Sequence, residues 1–270
     1  MQYERRKERT ERSEATVVTQ LLEDKNAVIY GGGGHIGSGV ARTFAREGAT
    51  VFVAGRALSA LKAVTDDIQA RGGRAHAAAV DALDEDAVQR HIQSVIDQVG
   101  AIDVCFNLTS RGDVQGTRLL DMDVEDFLRP TVVGLRSNFI TARAVAKHMV
   151  ERGSGTILML NSGSGPAWTP PEIWPMGGTG PADASLESFM RYLASEVGPR
   201  GVRVNCLWTA GVVLENDPLQ AAKDMLVNMS MLRKRPTIQE VADTATFLAS
   251  DRGSGITASI VNVSSGITAL

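Results

Sequence analysis

The stretch Ala27-Val-Ile-Tyr-Gly-Gly-Gly-Gly-His-Ile-Gly-Ser-Gly-Val-Ala-Arg42 decides the fold. It opens on a short apolar run, Ala27 to Tyr30, which stops abruptly in four glycines, and an amphipathic pattern follows. That order reads as a buried strand, a tight turn and a helix. Gly32, Gly34 and Gly37 fit Gly-x-Gly-x-x-Gly. In a second register Gly31, His35 and Gly37 fall on Gly-x-x-x-Gly-x-Gly, with His35 in place of the middle glycine. Both registers serve one physical need. A backbone without Cβ turns sharply and lets a pyrophosphate approach the N–H groups at a helix N-terminus. A glycine-rich run can also be a plain flexible turn, so the surrounding pattern has to decide.

Outward from this unit, strand and helix signals alternate. Thr50 to Arg56 reads as a second strand, and a helix from Leu58 to Arg71 carries Leu61, Val64 and Ile68 at helical spacing. Ala75 to Val80 is a third strand, and Asp81-Ala-Leu-Asp84 leads into a helix carrying Val88, Ile92, Val95, Ile96 and Val99. Further strands are expected over Ile102 to Leu108, Thr156 to Leu160, Val202 to Leu207 and Ile260 to Val263. The helices between them are expected around Phe139 to Val150, over Ser185 to Glu196 and over Ile238 to Ser250. Strands rich in Val, Ile and Ala that alternate with helices predict a parallel sheet covered on both faces, a Rossmann-type doubly wound α/β domain of about seven strands. On such sheets ligands bind at the carboxyl ends of the strands, near the switch point in strand order.

Bulk properties narrow the partners. A chain of 270 residues can bury a large core in one domain, here taken as 21–270, with 1–20 as a charged N-terminal extension. That extension interleaves Arg5, Arg6, Lys7, Arg9 and Arg12 with Glu4, Glu8, Glu11 and Glu14, which suits a solvated arm or an oligomer contact better than a basic binding tail. Net charge −3 gives no reason to expect nucleic acid or an anionic membrane as partner. Cys105 and Cys206 both lie in apolar strand runs and read as buried, inert thiols. His35, His76, His91 and His148 do not cluster with other ligand types at metal spacing, so no metal site is expected. No run has transmembrane length and no signal peptide is evident, which predicts a cytoplasmic protein.

From about Leu21 to Leu270 the ordered motifs resemble the short-chain dehydrogenases/reductases. The resemblance is carried by Gly31 to Gly37, Ala54-Gly-Arg56, Asp81 and Ile102-Asp-Val-Cys-Phe-Asn107, and continues in Thr156 to Ser162, Gly201-Val-Arg-Val-Asn205 and Glu240 to Asp251. The run from Ala184 to Asn205 is similar to the enoyl-reductase branch. The resemblance implies a nicotinamide dinucleotide held by Gly31, Gly33, Gly34, His35, Ile36, Gly37, Arg56, Asp81, Ala82, Asn107 and Val212. It also implies a small-molecule substrate and a homo-oligomer, dimer or tetramer, built on the helices near Phe139–Val150 and Ser185–Val197. NAD-binding members usually end strand two in an acidic residue. Here Gly55 is followed by Arg56, and a guanidinium can pair with a 2′-phosphate, which favours NADP(H) over NAD(H). Asp81, with the Ala82 backbone, resembles the pair that recognises adenine, or it is a helix N-cap or turn residue. His35 either adds a donor near a phosphate or crowds the pyrophosphate and weakens binding, which leaves open the alternative of no cofactor.

The family's reductase mechanism uses Asn, Ser, Tyr and Lys, the lysine lowering the tyrosine pKa. Ser162 stands in the serine place, while the Asn position falls on Gly134, with Asn138 one turn on. Tyr-x-x-x-Lys lands on Thr179 and Asp183, and the enoyl-reductase spacing places the tyrosine on Met176. The only tyrosines are Tyr3, Tyr30 and Tyr192, and no lysine lies between Lys147 and Lys223. Ser162, Thr179 and Asp183 are therefore the expected catalytic positions, and three readings stay open. The first is an oxidoreductase with an altered site, acting on a carbonyl, hydroxyl or enoyl group. The second is a non-redox isomerase, dehydratase or cyclase with Asp183 as acid/base. The third is an inactive dinucleotide-binding protein. Trp168, Trp174 and Trp208 either line an apolar pocket or pack the loop onto the body. Val212 to Arg235, with Met225, Met229 and Met231, corresponds to the family's substrate lid.

Overall fold

The computed structural model describes residues 20–163, 174–216 and 220–268. The strands are β1 Asn26–Tyr30, β2 Thr50–Gly55, β3 Arg74–Ala79, β4 Val104–Asn107, β5 Gly155–Asn161, β6 Val202–Trp208 and β7 Ile260–Asn262. They form one sheet in the order β3-β2-β1-β4-β5-β6-β7, and every pairing is parallel. The order reverses between β1 and β4, so a crevice opens at their carboxyl ends.

Alternation along the strands supplies two cores. Val28 and Tyr30 of β1 pack with helices α3 (Glu85–Val99), α4 (Val124–Arg152) and α5 (Thr179–Val197) on one face. Ala27 and Ile29 pack with α1 (His35–Arg46), α2 (Leu58–Ala70) and α7 (Ile238–Ala249) on the other. Because both faces are covered, the central strands are apolar at nearly every position, Asn26 and Asn107 standing at their ends, which is why they stand out in the sequence as apolar runs. A short helix α6 (Lys223–Met229) lies in the segment between β6 and α7.

Helix α4 is longer than its sequence pattern predicts, starting at Val124 instead of near Phe139. Its first half carries Pro130 and leaves Val124, Leu128 and Val132 exposed, so the amphipathic signature there is blurred. Asp84, not Asp81, caps α3: its side chain accepts from Ala87 N–H.

Both cysteines are buried and unbridged; burial pushes the Cys105 thiol up to about 12 and raises that of Cys206 as well. Among the described residues no group of side chains is arranged to hold a metal, and no helix is long and apolar enough to cross a membrane.

The core contains one polar pair with a pH signature. The Tyr30 hydroxyl lies 3.0 Å from Nδ1 of the buried His91, and burial lowers the His91 pKa to about 4. A histidine depressed in the folded state contributes its full stability above the unfolded value near 6.5, and loses it as pH falls toward 4. The expected loss across that window is about 3 kcal/mol. Chemical denaturation at a series of pH values should show this slope in the natural chain and a flatter one in His91→Gln. A pH-independent difference between the two would refute it.

Candidate functional site

The glycine loop is shaped by what a side chain would strike. Gly31 sits at φ +77°, and a Cβ there would lie 2.4 Å from the Leu108 carbonyl oxygen. A Cβ on Gly37 would lie 2.2 Å from the Gly31 carbonyl oxygen, so the first turn of α1 rests directly on the loop. Gly34 precedes α1 at its N-cap, and His35 is the first helical residue, with its side chain exposed. Ile36 packs against the α1–α2 core. A helix N-terminus of this form concentrates unpaired N–H groups and favours an anion.

Beside the loop lies a cavity of about 300 Å3 at the ends of β1 to β4. Gly31, Gly33, Gly34, Arg56, Asp81 and Ala82 all lie on its walls. Arg56 is exposed, and among the described residues no carboxylate pairs with it. Asp81 closes a turn by accepting from Leu83 N–H through Oδ1, which is the turn role its sequence context allowed. Thr109, also on the wall, has a buried hydroxyl without a hydrogen-bond partner in the described structure. An orphaned hydroxyl and a backbone cradle that any Cβ would fill are features that a dinucleotide's hydroxyls and phosphates would satisfy.

Asn107 and Val212 sit differently from the loop residues. Asn107 is buried at the end of β4, donating from Nδ2 to the Thr141 hydroxyl and accepting Thr109 N–H through Oδ1, so it braces the wall from behind. Val212 is in the α1–α7 core, and its carbonyl accepts from Arg235.

A second cavity, of about 210 Å3, lies past the ends of β5 and β6. Ser162, Gln115, Trp174, Met225, Leu226 and Met229 are among its lining residues. Among the described residues none that lines it is charged, and none is tyrosine or lysine. Behind Ser162 runs a charged network that the sequence reading did not anticipate. The Ser162 hydroxyl donates to Asp183 Oδ2 at 2.7 Å, and Asp183 Oδ1 accepts from Arg111 Nη1 at 2.7 Å. Arg111 also donates through Nε and Nη2 to both carboxylate oxygens of Asp113. Asp183 is fully buried, and only a tenth of the Arg111 side chain is exposed. Desolvation pulls the Arg111 pKa down, but the two carboxylates outweigh it and the net shift is upward.

Room for that arginine comes from a missing side chain. A Cβ on Gly134 of α4 would lie 2.6 Å from Arg111 Cδ, so the guanidinium reaches Asp183 across the position where an asparagine was sought. Asn138, one turn further on, bends back and donates to the Gly134 carbonyl.

Two of the sequence candidates lie off the cavity wall. Thr179 does not reach the cavity wall: it is fully buried at the start of α5, where its hydroxyl accepts from Gln115 Nε2 at 3.4 Å. Gln115 takes that place on the wall, and its Oε1 accepts the Trp174 indole N–H at 3.1 Å. Trp208 is also absent from the cavity. It is 1 % exposed and packs in the core, its indole N–H satisfied by the buried Glu187. Met225 and Met229 line the cavity, while Met231 is exposed to solvent. Trp168 and residues 1–19 of the charged extension lie outside the described residues.

This geometry has known counterparts. A family model described as enoyl-(acyl carrier protein) reductase matches residues 33–268. The chain is 30% identical over 255 residues to the 3-oxoacyl-(acyl-carrier-protein) reductase FabG of Chlamydia muridarum, covering 93% of this chain and 100% of that one. The chain belongs to the short-chain dehydrogenase/reductase family. The 7alpha-hydroxysteroid dehydrogenase of Escherichia coli K12, another member, is 30% identical over 91% of this chain and 94% of its own. A solved 7alpha-hydroxysteroid dehydrogenase, in complex with NADH and 7-oxo glycochenodeoxycholic acid, superposes with a TM-score of 0.83 at 27% identity, covering 92% of this chain and 96% of that one. The short-chain dehydrogenase/reductase relatives named here are thus oxidoreductases, and one is seen with NADH and a small-molecule ligand bound.

Proposed function

We propose that this chain is a nicotinamide-dinucleotide oxidoreductase with an atypical site, preferring NADP(H) over NAD(H) and acting on a hydroxyl, carbonyl or enoyl group of a small neutral molecule. The observation that carries this reading is the glycine-walled cavity at the sheet's switch point, with Arg56 on its lip and no acidic residue at the end of β2. Gly31, Gly33, Gly34 and the N-terminus of α1 would hold the pyrophosphate, Arg56 a 2′-phosphate, and Asp81 with Ala82 the adenine. When bound, the dinucleotide supplies or accepts hydride.

The protein's own share is positioning and proton handling. The described lining residues of the 210 Å3 cavity are uncharged, which suits a neutral ligand. Ser162, which has the Asp183 carboxylate directly behind its hydroxyl, is the wall residue we assign to hold or pass a proton. The site is atypical because Thr179 and Asp183 stand at the positions where the family's tyrosine and lysine are expected, and Arg111 supplies the local positive charge.

A second reading has its own support. Asp183 is bound on one oxygen by Arg111 and on the other by Ser162, which suits a fixed carboxylate better than a mobile acid/base. That favours a dinucleotide-binding protein without turnover over an isomerase or dehydratase built on Asp183.

One experiment separates these readings. NADPH and NADH are titrated onto the protein by fluorescence, followed by absorbance at the reduced-nicotinamide band with alcohol, ketone and enoyl panels. Failure of both dinucleotides to bind would overturn the proposal, and tight binding without turnover on any panel supports the second reading. Arg56→Ala is expected to weaken NADPH about tenfold while leaving NADH nearly unchanged, since a charge-assisted pair contributes roughly 1.5–3 kcal/mol. Equal weakening of both would remove Arg56 from phosphate recognition.

The homo-oligomer is proposed on the packed pair α4–α5, where Val132, Phe139 and Tyr192 are exposed and Phe139 meets Phe189 edge to face. Sedimentation showing a monomer at micromolar concentration would refute it.

A further inference from the structure

We infer that Gln115, from the loop after β4, supplies the hydrogen-bond donor for a ligand's carbonyl oxygen in the cavity of about 210 Å3, acting in the place of the tyrosine this chain lacks. The inference rests on the proposed function, which makes that cavity the substrate site, and it narrows the ligand there to one that presents a carbonyl.

Placement comes first. The threonine at position 179 is fully buried and stops short of the cavity, and Gln115, which covers it, stands exposed on the wall. The backbone pins it there from both sides. Gly116 N–H donates to the Pro175 carbonyl at 2.8 Å. Gly177 has φ +57°, and a Cβ on it would lie 2.7 Å from the Val114 carbonyl oxygen. Both neighbours of Gln115 are therefore tied to the segment that leads into α5, and only a glycine at 177 permits so close an approach.

Polarity follows from the partners. An indole N–H can donate and never accept, so the 3.1 Å contact with Trp174 requires the amide oxygen of Gln115 on that side. The amide nitrogen then faces the other way. One of its N–H groups is directed at Thr179 Oγ1, 3.4 Å distant, and the second has no acceptor among the described residues. Turning the amide over would set an N–H against the indole N–H, so the spare donor is held in place. A carbonyl oxygen, which only accepts, suits it. An amide N–H aimed in advance at such an oxygen stabilises charge that develops there and keeps its own proton. Trp174 is the positioning residue of the pair.

Cyclohexanone and methylenecyclohexane serve as probes, alike in shape and different in whether an acceptor oxygen is present. They are titrated onto the 15N-labelled full chain without any dinucleotide, and the Gln115 side-chain amide signals are assigned by their loss in Gln115→Met. Cyclohexanone is expected to move one of the Gln115 amide protons downfield, and methylenecyclohexane to move neither in that direction. Affinities are followed on 13C-labelled methyls of Met225 and Met229, which line the same cavity. The ratio of ketone to hydrocarbon affinity should fall about fivefold in Gln115→Met, in keeping with one net hydrogen bond. Gln115→Glu leaves an oxygen for Trp174 but turns a carboxylate on the ligand, and should lower the ratio further. Trp174→Phe frees the amide to turn and should lower it by a smaller factor. Gln115 and its amide are exposed, so these variants remove nothing from the core. A ratio unchanged in Gln115→Met would overturn the inference, and so would Gln115 amide signals that cyclohexanone does not move, whether it binds elsewhere or not at all. A ketone held through Gln115 in a chain that binds neither dinucleotide would count against the proposed activity and leave this inference standing.

Discussion

Arg111→Met is expected to destabilise the protein by about 3–5 kcal/mol, the range for breaking a buried ion pair by removing one partner. The substitution takes away the cation and leaves the charges it faced. Asp183 is 0 % exposed and would lose its cationic partner while keeping the hydroxyl contact from Ser162, and Asp113, at 22 %, would still reach water. The loss should therefore trace almost entirely to Asp183. Arg111→Met combined with Asp183→Asn is expected to recover most of it, because removing both charges leaves no uncompensated ion in the low-dielectric interior. Arg111→Lys should recover less, since one ammonium cannot reproduce a fork that bonds two carboxylates at once. Urea denaturation of the natural chain, Arg111→Met, Asp183→Asn and their double variant gives the coupling directly, with Arg111→Lys measured beside them. A single variant within 1 kcal/mol of the natural chain, or a double variant as unstable as the single, would show that the pair is not the keystone of this region.

That network also marks where sequence reasoning stops. The sheet is legible because strands buried on both faces must be apolar at nearly every position, as Ala27 to Tyr30 and Val104 to Phe106 are. The loop is legible because its contacts are backbone on backbone, and only glycine satisfies them at 31 and 37. Ser162 and Asp183 could be found because they hold fixed places relative to β5 and α5. Arg111 could not: it reaches Asp183 from 72 positions away, and nothing local in an exposed-looking loop distinguishes it from a solvated arginine. Its trace in the sequence is negative, the absent side chain at Gly134, together with the rule that a buried carboxylate demands a partner. The same kind of tertiary contact turned Trp208 inward, where Glu187 offers an acceptor, and covered Thr179 with Gln115. In each case a neighbour from across the fold decides where the side chain goes, and such neighbours leave no periodicity.

Gly37→Ala is the second large effect. One methyl added there would meet the Gly31 carbonyl oxygen at 2.2 Å, its carbon at 2.9 Å and the Gly32 Cα at 3.0 Å. All three atoms are backbone, so no rotamer change relieves the contact. Gly31 cannot retreat either, because it is itself wedged against the Leu108 carbonyl. The first turn of α1 must lift off the loop, spoiling the N–H array that would face a pyrophosphate. The expected cost is about 2–4 kcal/mol of stability, at the upper end for overpacking because neither surface can yield. NADPH binding should weaken at least a hundredfold. Gly198→Ala is the matched control: its backbone is helical at φ −57°, and a Cβ there meets nothing within 4 Å. It should leave stability within about 0.5 kcal/mol, with the dinucleotide affinity unchanged. If Gly37→Ala bound NADPH like the natural chain, the pyrophosphate would have to sit elsewhere, and the role given to the glycine cradle would fall with it.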